Sequence, residues 1–542
     1  MASSAHVDSF ARDNLPDRSL WPDLVFTLPE LRYPERLNCA VELLDRTVAT
    51  GGGERPCLVT PTATWTYRQL LEQANRIANV LVEDLGIVPG NRILLRGFNE
   101  PMQVACWFAA LKAGAVVVVT MPMLRAGELQ KIVDKAEIAL ALCDARLGAE
   151  LECCAQQAPV LSRVVYWGEA SGDGLELLAA RRPADFANVA TAADDVALIA
   201  FTSGTTGQPK GTMHFHRDVL AICDCFPPHV LKARPDDMFT GSPPLAFTFG
   251  LGGLVLFPMR IGASTLLLEA APPAQLAEAI ARHRATVLFT APTAYRAMLG
   301  LGAGAELGSL RKCVSAGEAL PAATFEAWRE RTGLTLIDGI GATEMLHIFI
   351  SATEDAMRPG ATGVAVPGYE ARIVDAAGEP VPDGEPGRLA VRGPTGCRYL
   401  ADERQRDYVQ RGWNITGDTY LRDADGYFRY QARSDDMIVS AGYNIAAPEV
   451  EEALLAHDAV LECAVVGAPD DARGQIVKAF VVLRPELAAT AVLATALQDF
   501  VKARIAPYKY PRAVEFVAEL PKTQTGKLQR FRLRHQPGGG DA

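Results

Sequence analysis

The sequence predicts an α/β protein in two parts. A large N-terminal domain of parallel, helix-covered sheets ends in a small β-rich subdomain, and a small C-terminal α+β domain follows. Three observations predict this. From about residue 66 onward, short apolar runs alternate with amphipathic segments, the pattern of strands buried on both faces by helices. Beyond residue 360 the texture changes to short alternating strands broken by Gly, Pro and Asp turns. At 542 residues the chain is also too long for one ordinary core, so at least two domains are expected.

Taken in order, residues 1 to about 55 read as an extended arm closing on a flexible Gly51-Gly52-Gly53 loop. Thr66 to Leu81 has helical apolar spacing, with Thr66 as N-cap. Arg92 to Leu95 is a strand, Pro101 to Lys112 a helix opened by proline, and Ala115 to Val119 a β-branched strand. Glu128 to Lys135 and Ile138 to Cys143 repeat the alternation, and so do the segments between Ala263 and Leu301. Val196 to Ala200 is a short continuous apolar strand. Glu370 to Asp375 and Gly387 to Gly393 belong to the β-rich part. After a boundary at about Ser434-Asp435 come a helix over Pro448 to Leu455, strands over 460–466 and 477–483, a helix over 491–504 and a last strand over 513–517. The resulting division is 1–434 and 435–542.

Composition excludes several function classes. The chain is 49% hydrophobic and 22% charged, as soluble globular proteins are, and its net charge of −11 argues against a nucleic-acid or anionic-membrane surface. Met1 to Leu28 is too polar for a signal peptide or an anchor, and no apolar run approaches a membrane span. Eleven cysteines, odd in number and without a Cys-x-x-Cys pair, suit reduced, buried thiols in a cytoplasmic protein. His214-Phe-His216 on a strand would share a face, but no third metal ligand lies nearby. No Gly-x-Ser-x-Gly elbow and no His-Glu-x-x-His occurs.

The most informative stretch is Phe201-Thr-Ser-Gly-Thr-Thr-Gly-Gln-Pro-Lys-Gly211. It leaves the 196–200 strand with three glycines, four hydroxyl side chains and one lysine. Small residues let backbone N–H groups converge on phosphate oxygens, hydroxyls add donors, and Lys210 adds charge. Gln208 and Pro209 separate that lysine from Gly207, unlike the usual nucleotide loop. Asp338-Gly-Ile-Gly-Ala-Thr-Glu344 puts a carboxylate near such a loop, which suits Mg2+; taken alone, a turn with a solvated Glu explains it equally. Trp413 to Asp418 ends in an acid able to accept from ribose hydroxyls, and a plain turn explains it as well. Arg433 with Asp435 and Asp436 reads as a surface ion pair, and Pro521 to Lys527 as solvated charge, when each stands alone.

Together and in this order, the motifs resemble those of the acyl-adenylate-forming superfamily, the acyl-CoA synthetases, carrier-protein adenylation domains and firefly luciferase. The resemblance spans roughly residues 60 to 530. It implies that Thr202, Ser203, Gly204, Thr205, Thr206, Gly207 and Lys210 hold the departing phosphates, and that Glu344, next to Thr343, holds Mg2+. Ala316, Gly317 and Glu318 would flank adenine, Asp338, Gly339 and Ile340 would also bind the nucleotide cofactor, and Asp418 and Arg433 would bind ribose. Asp435 would be the hinge of a mobile C-terminal domain, Gly442 would border the pantetheine channel, and Lys527 would bridge carboxylate and α-phosphate. Ala432 stands where the family has glycine, which bears on hinge flexibility but removes no chemical group.

Ser315 to Pro321 and Asp338 to Phe349 look like the benzoate-CoA ligase branch, and Pro243 to Gly253 looks closer to 2-aminobenzoate-CoA ligases. That resemblance implies an aryl pocket from Phe247, Phe249, Gly341, His347 and Ile348, and co-substrates ATP, an aromatic carboxylate and CoA. For an ortho-amine, His347 or Thr248 is the expected acceptor. A medium-chain or other substituted-aryl synthetase, and an aryl-adenylating component loading a carrier protein in trans, share these motifs. Monomer and homodimer both stay open.

Overall fold

Apolar strands need cover on both faces, and the chain supplies it with two helix-flanked sheets. The structure, a computed structural model, describes residues 3–168, 174–202, 209–301, 307–433, 437–440, 443–470, 474–505, 507–522 and 528–534. Among them the first sheet has six strands in the order Arg163–Trp167, Leu140–Asp144, Arg92–Arg96, Val116–Thr120, Val196–Thr202 and Lys210–Phe215. All neighbours are parallel except the last pair, which doubles back antiparallel. The second sheet has nine strands. Its middle, from Leu336–Gly341 through Lys312–Ala316, Val287–Thr290, Met238–Gly241 and Ser264–Leu266 to Pro56–Val59, is parallel, and antiparallel strands close both edges.

The local signals work as expected where they are strongest. Thr66 caps the Tyr67–Asn79 helix through a reciprocal capping box, accepting from Gln69 N while Gln69 Oε1 accepts from Thr66 N. Such a cap is worth about 1 kcal/mol. Pro101 opens the Pro101–Lys112 helix, whose side chains are buried almost throughout because it packs between the layers.

The extended arm is a correction. Residues 41–52 are helical, and Cys39, Ala40, Leu43 and Leu44 lie in the main core. Burying each leucine contributes about 1.5–3 kcal/mol, enough to order the segment. The glycines then form the end of that helix, with Gly51 at φ 92°, before Pro56–Val59 enters the second sheet.

The β-rich part is a five-stranded sheet built on Glu370–Val374, Gly387–Arg392 and Trp413–Arg422, with Val409–Gln410 and Phe428–Arg433 beside the last. C-terminal to it lies a smaller α+β domain, in which the 437–440, 443–446, 460–470, 474–483 and 513–516 strands form one sheet. Ile438, Ile445, Val450, Val465, Val481, Leu497 and Val501 make a core of its own that includes no residue before 437. The fold is thus a large α/β N-terminal domain with a smaller C-terminal one. Among the described residues no helix is long and apolar enough to cross a membrane.

Candidate active site

The phosphate-loop motif hangs from the ends of two paired strands. Thr202 is the direct partner of Lys210 in the antiparallel pair 196–202 and 210–215. Ser203, Gly204, Thr205, Thr206 and Gly207 lie outside the described residues. The loop's exit is held from outside: the Pro209 carbonyl accepts from Lys135 Nζ at 3.4 Å and from Arg404 Nη2 at 3.5 Å. Asp402 accepts from both cations at 2.6 Å. Burial opposes its ionisation, yet the hydrogen bonds from Arg404 and Lys135 outweigh this and hold its pKa far below the usual carboxylate range.

Glu344 sits on a 3-10 turn, Thr343–Met345, and is 9% exposed. Its Oε1 accepts from the Tyr399 hydroxyl at 2.5 Å. The Thr343 carbonyl lies 2.8 Å from His214 Nε2, a carbonyl partner that assigns the ring proton to Nε2. His214 Nδ1 lies 3.8 Å from Asp218 Oδ2, and Asp218 pairs with Arg398, all three fully buried. Residues 398–400 reach this place by adding to the edge of the 210–215 strand, through Met213 N to Arg398 O and Leu400 N to Gly211 O, both 2.8 Å. Sequence reading missed Tyr399 and Arg398 because neither the periodicity nor the spacing of Cys397-Arg-Tyr-Leu400 signals an edge strand.

The two histidines do not share a strand face. The strand ends at Phe215, so His214 turns to Thr343 and His216 opens the next helix, with Nδ1 3.1 Å from Cys39 Sγ. Burial lowers the His216 pKa to about 3 and raises that of Cys39, so the pair stays neutral and is no thiolate–imidazolium couple. Among the described residues no group of three His, Cys, Asp or Glu could hold a metal.

The Ser315 and Asp338 motifs come together by strand pairing. Ser315 faces Asp338 and Ala316 faces Gly339 across the parallel pair 312–316 and 336–341, and Gly317 follows at φ 91°. Ile340 and Gly341 continue the strand, and half-buried Glu318 follows Gly317. Burial pushes the Asp338 carboxyl pKa up to about 7. Ser315 is buried beside it, and hydrogen bonds from Ser315 and the Gly339 backbone offset only part of the cost of burying the carboxylate. Asp418 is the direct cross-strand partner of Arg433. Asp435, Gly442 and Lys527 lie outside the described residues.

His347 ends up among aromatic rings. It is 2% exposed, with Phe257 edge-on at 4.5 Å, Phe249 at 5.7 Å and Phe226 at 5.9 Å between centroids. Burial lowers its pKa to about 3, only partly opposed by a backbone hydrogen bond at Phe249, so the imidazole is neutral. Glycines make the room: a Cβ at Gly252 would lie 2.3 Å from His347 Cδ2, and one at Gly341 2.8 Å from the His347 carbonyl. Ile348 is buried beside it, and Phe247 is the half-buried N-cap of the Thr248–Leu251 helix. Asn99, unnoticed in the sequence, fixes the approach to that helix by accepting from Leu245 N at 2.9 Å and donating to Pro243 O at 3.1 Å.

The AMP-binding enzyme family model matches residues 44–399, and the AMP-binding enzyme C-terminal domain matches residues 449–527. The chain is 36% identical to the benzoate–CoA ligase of Thauera aromatica, over 94% of this chain and 98% of that one. It is 35% identical to the 4-hydroxybenzoate–CoA/benzoate–CoA ligase of Rhodopseudomonas palustris, over 93% and 95%. The crystal structure of the anthranilate CoA ligase AuaEII with anthranoyl-AMP superposes with a TM-score of 0.89 at 36% identity, covering 94% and 98% of the two chains. The benzoate CoA ligase of Burkholderia xenovorans LB400 superposes with a TM-score of 0.84 at 34% identity, covering 92% and 100%. The chain therefore belongs to the AMP-binding enzyme family, within its AMP-forming acid–thiol ligases.

Proposed function

We propose that this aryl-CoA ligase activates 2-aminobenzoate, with benzoate a close second, and transfers the aryl group to CoA through an acyl-adenylate. The observation that carries the ring preference is His347. A neutral imidazole offers one nitrogen lone pair, and an ortho-amine N–H is a donor that fits it. Benzoate would leave that buried nitrogen unpaired, a difference of about 1–3 kcal/mol. The likeness to benzoate and anthranilate ligases supports the same reading.

In the first half-reaction a carboxylate oxygen attacks the α-phosphorus of ATP and pyrophosphate leaves. The residues serve by positioning and neutralising charge. Thr202 to Lys210 hold the departing phosphates, Asp338 and Ala316 to Glu318 the adenine, and Asp418 and Arg433 the ribose. The buried Asp338 carboxyl, an acceptor on the strand beside Ala316, suits the adenine amine. Glu344, with Thr343 beside it, would hold Mg2+; one protein carboxylate fits an ion that otherwise keeps waters and phosphate oxygens. Bound there, Mg2+ supplies charge neutralisation to the phosphates. Lys527 bridges carboxylate and α-phosphate. In the second half-reaction the CoA thiolate attacks the acyl carbon and AMP leaves, after the 435–542 domain turns about Asp435 and brings Gly442 to the pantetheine channel. The separate core of that domain supports the boundary at 434/435. Eleven free cysteines support a reducing, cytoplasmic setting.

AMP release with CoA across 2-aminobenzoate, benzoate, hydroxybenzoates and hexanoate tests the reading. It expects 2-aminobenzoate first and benzoate second; turnover led by hexanoate overturns it.

A further inference from the structure

Tyr399 stands between the two charged groups assigned above to phosphate and metal. Its hydroxyl donates to Glu344 Oε1 at 2.5 Å and lies 3.4 Å from Lys210 Nζ, whose ammonium is also 5.3 Å from the ring centroid. Lys210 and Glu344 thus approach the same hydroxyl from two sides without forming an ion pair with each other. Glu344 is buried and Lys210 half-buried, so the two opposite charges attract through partly excluded solvent, and the hydroxyl is the group that both approach.

The group is built to stay where it is. Tyr399 is fully buried, packed edge-on against Tyr408 at 5.7 Å, and flanked on both sides by the backbone hydrogen bonds to the 210–215 strand. Its neighbour Arg398 is fixed by Asp218. A phenol keeps its proton at neutral pH, so the hydroxyl is a donor to the Glu344 carboxylate. The other end of the 343–345 turn is held by His214 at the Thr343 carbonyl.

We propose that Tyr399 is a positioning residue, a neutral spacer that keeps Lys210 and Glu344 from pairing with each other, so that the lysine stays open to phosphate oxygens and the carboxylate to Mg2+. The inference rests on the roles proposed for those two residues. It separates spacing from simple packing: a packing role would be served by any ring, whereas a spacer needs the hydroxyl that both charges approach.

Calorimetric titration of the full chain with ATP, once in EDTA and once with Mg2+, tests it in wild type, Tyr399→Phe, Glu344→Gln and the double variant. In EDTA, Tyr399→Phe is expected to bind ATP about tenfold more weakly, because a lysine captured by Glu344 no longer neutralises phosphate. With Mg2+ it is expected to lose a similar factor in the metal's contribution. The double variant, with no carboxylate to capture Lys210, is expected to regain the EDTA affinity of Glu344→Gln alone; a site that had merely misfolded would not be repaired by a second substitution. Wild-type ATP affinity in Tyr399→Phe, or a double variant as weak as Tyr399→Phe, overturns the spacer. The metal role of Glu344 fails separately, if Glu344→Gln keeps the full Mg2+ enhancement of wild type.

Discussion

Asp418 and Arg433 are direct partners across the antiparallel strands 413–422 and 428–433, in the register that the β-rich sheet imposes. Two residues fifteen apart in sequence thereby become backbone neighbours at the end of one sheet. If Asp418 accepts from the ribose, Asp418→Ala removes a charge-assisted hydrogen bond of about 1.5–3 kcal/mol. The expected outcome is a KM for ATP raised about tenfold or more with the KM for the aromatic acid little changed. Initial rates at varied ATP check it.

His347 is expected to discriminate between ring substituents. His347→Leu keeps an apolar wall but removes the acceptor, so the ratio of kcat/KM for 2-aminobenzoate to that for benzoate should fall about tenfold. Because burial lowers the imidazole pKa to about 3, this group does not titrate between pH 5 and 8, and the ratio should be flat across that range. Competition kinetics with both acids at several pH values measures both.

Gly252→Ala tests the packing beneath the same ring. Its Cβ would sit 2.3 Å from His347 Cδ2, so the ring must shift. The expected result is a raised KM for the aromatic acid with the KM for ATP unchanged, read from the same initial-rate assay.

Asp338 links the site to pH-dependent stability. Its pKa is about 7 folded against 3.8 unfolded, so between those values the native state holds a proton that the unfolded chain has lost. Stability from this group therefore falls as pH rises from about 4 to 7, and the cost is fully present above 7. Asp338→Asn removes the titration. Its melting temperature relative to wild type should rise as pH goes from 4 to 8, as differential scanning calorimetry of the nucleotide-free proteins would show.

Local chemistry made much of this molecule legible in advance. Thr66 with Gln69, and Pro101 at a helix start, mark their elements through capping and missing-donor effects that act within one turn. The order of the motifs pointed to the family, and the strands then brought Ser315 to Asp338 and Asp418 to Arg433. What stayed hidden depends on contacts far apart in sequence. Tyr399 reaches Glu344 only because residues 398–400 add to a strand formed by 210–215, and His214 finds Thr343 across more than a hundred residues. The helix over 41–52 was misread for a related reason: its leucines are held by a core assembled from the rest of the domain, and the three glycines suggested a loop.

In the proposed reaction the carboxylate itself becomes the acyl donor through attack on the α-phosphate. Turnover of 2-aminobenzoate labelled with oxygen-18 in both carboxyl positions, with ATP, Mg2+ and CoA, tests it most directly by mass spectrometry of the products. Attack on the α-phosphate gives AMP carrying one labelled oxygen and 2-aminobenzoyl-CoA retaining the other; unlabelled AMP formed alongside the thioester would rule that attack out.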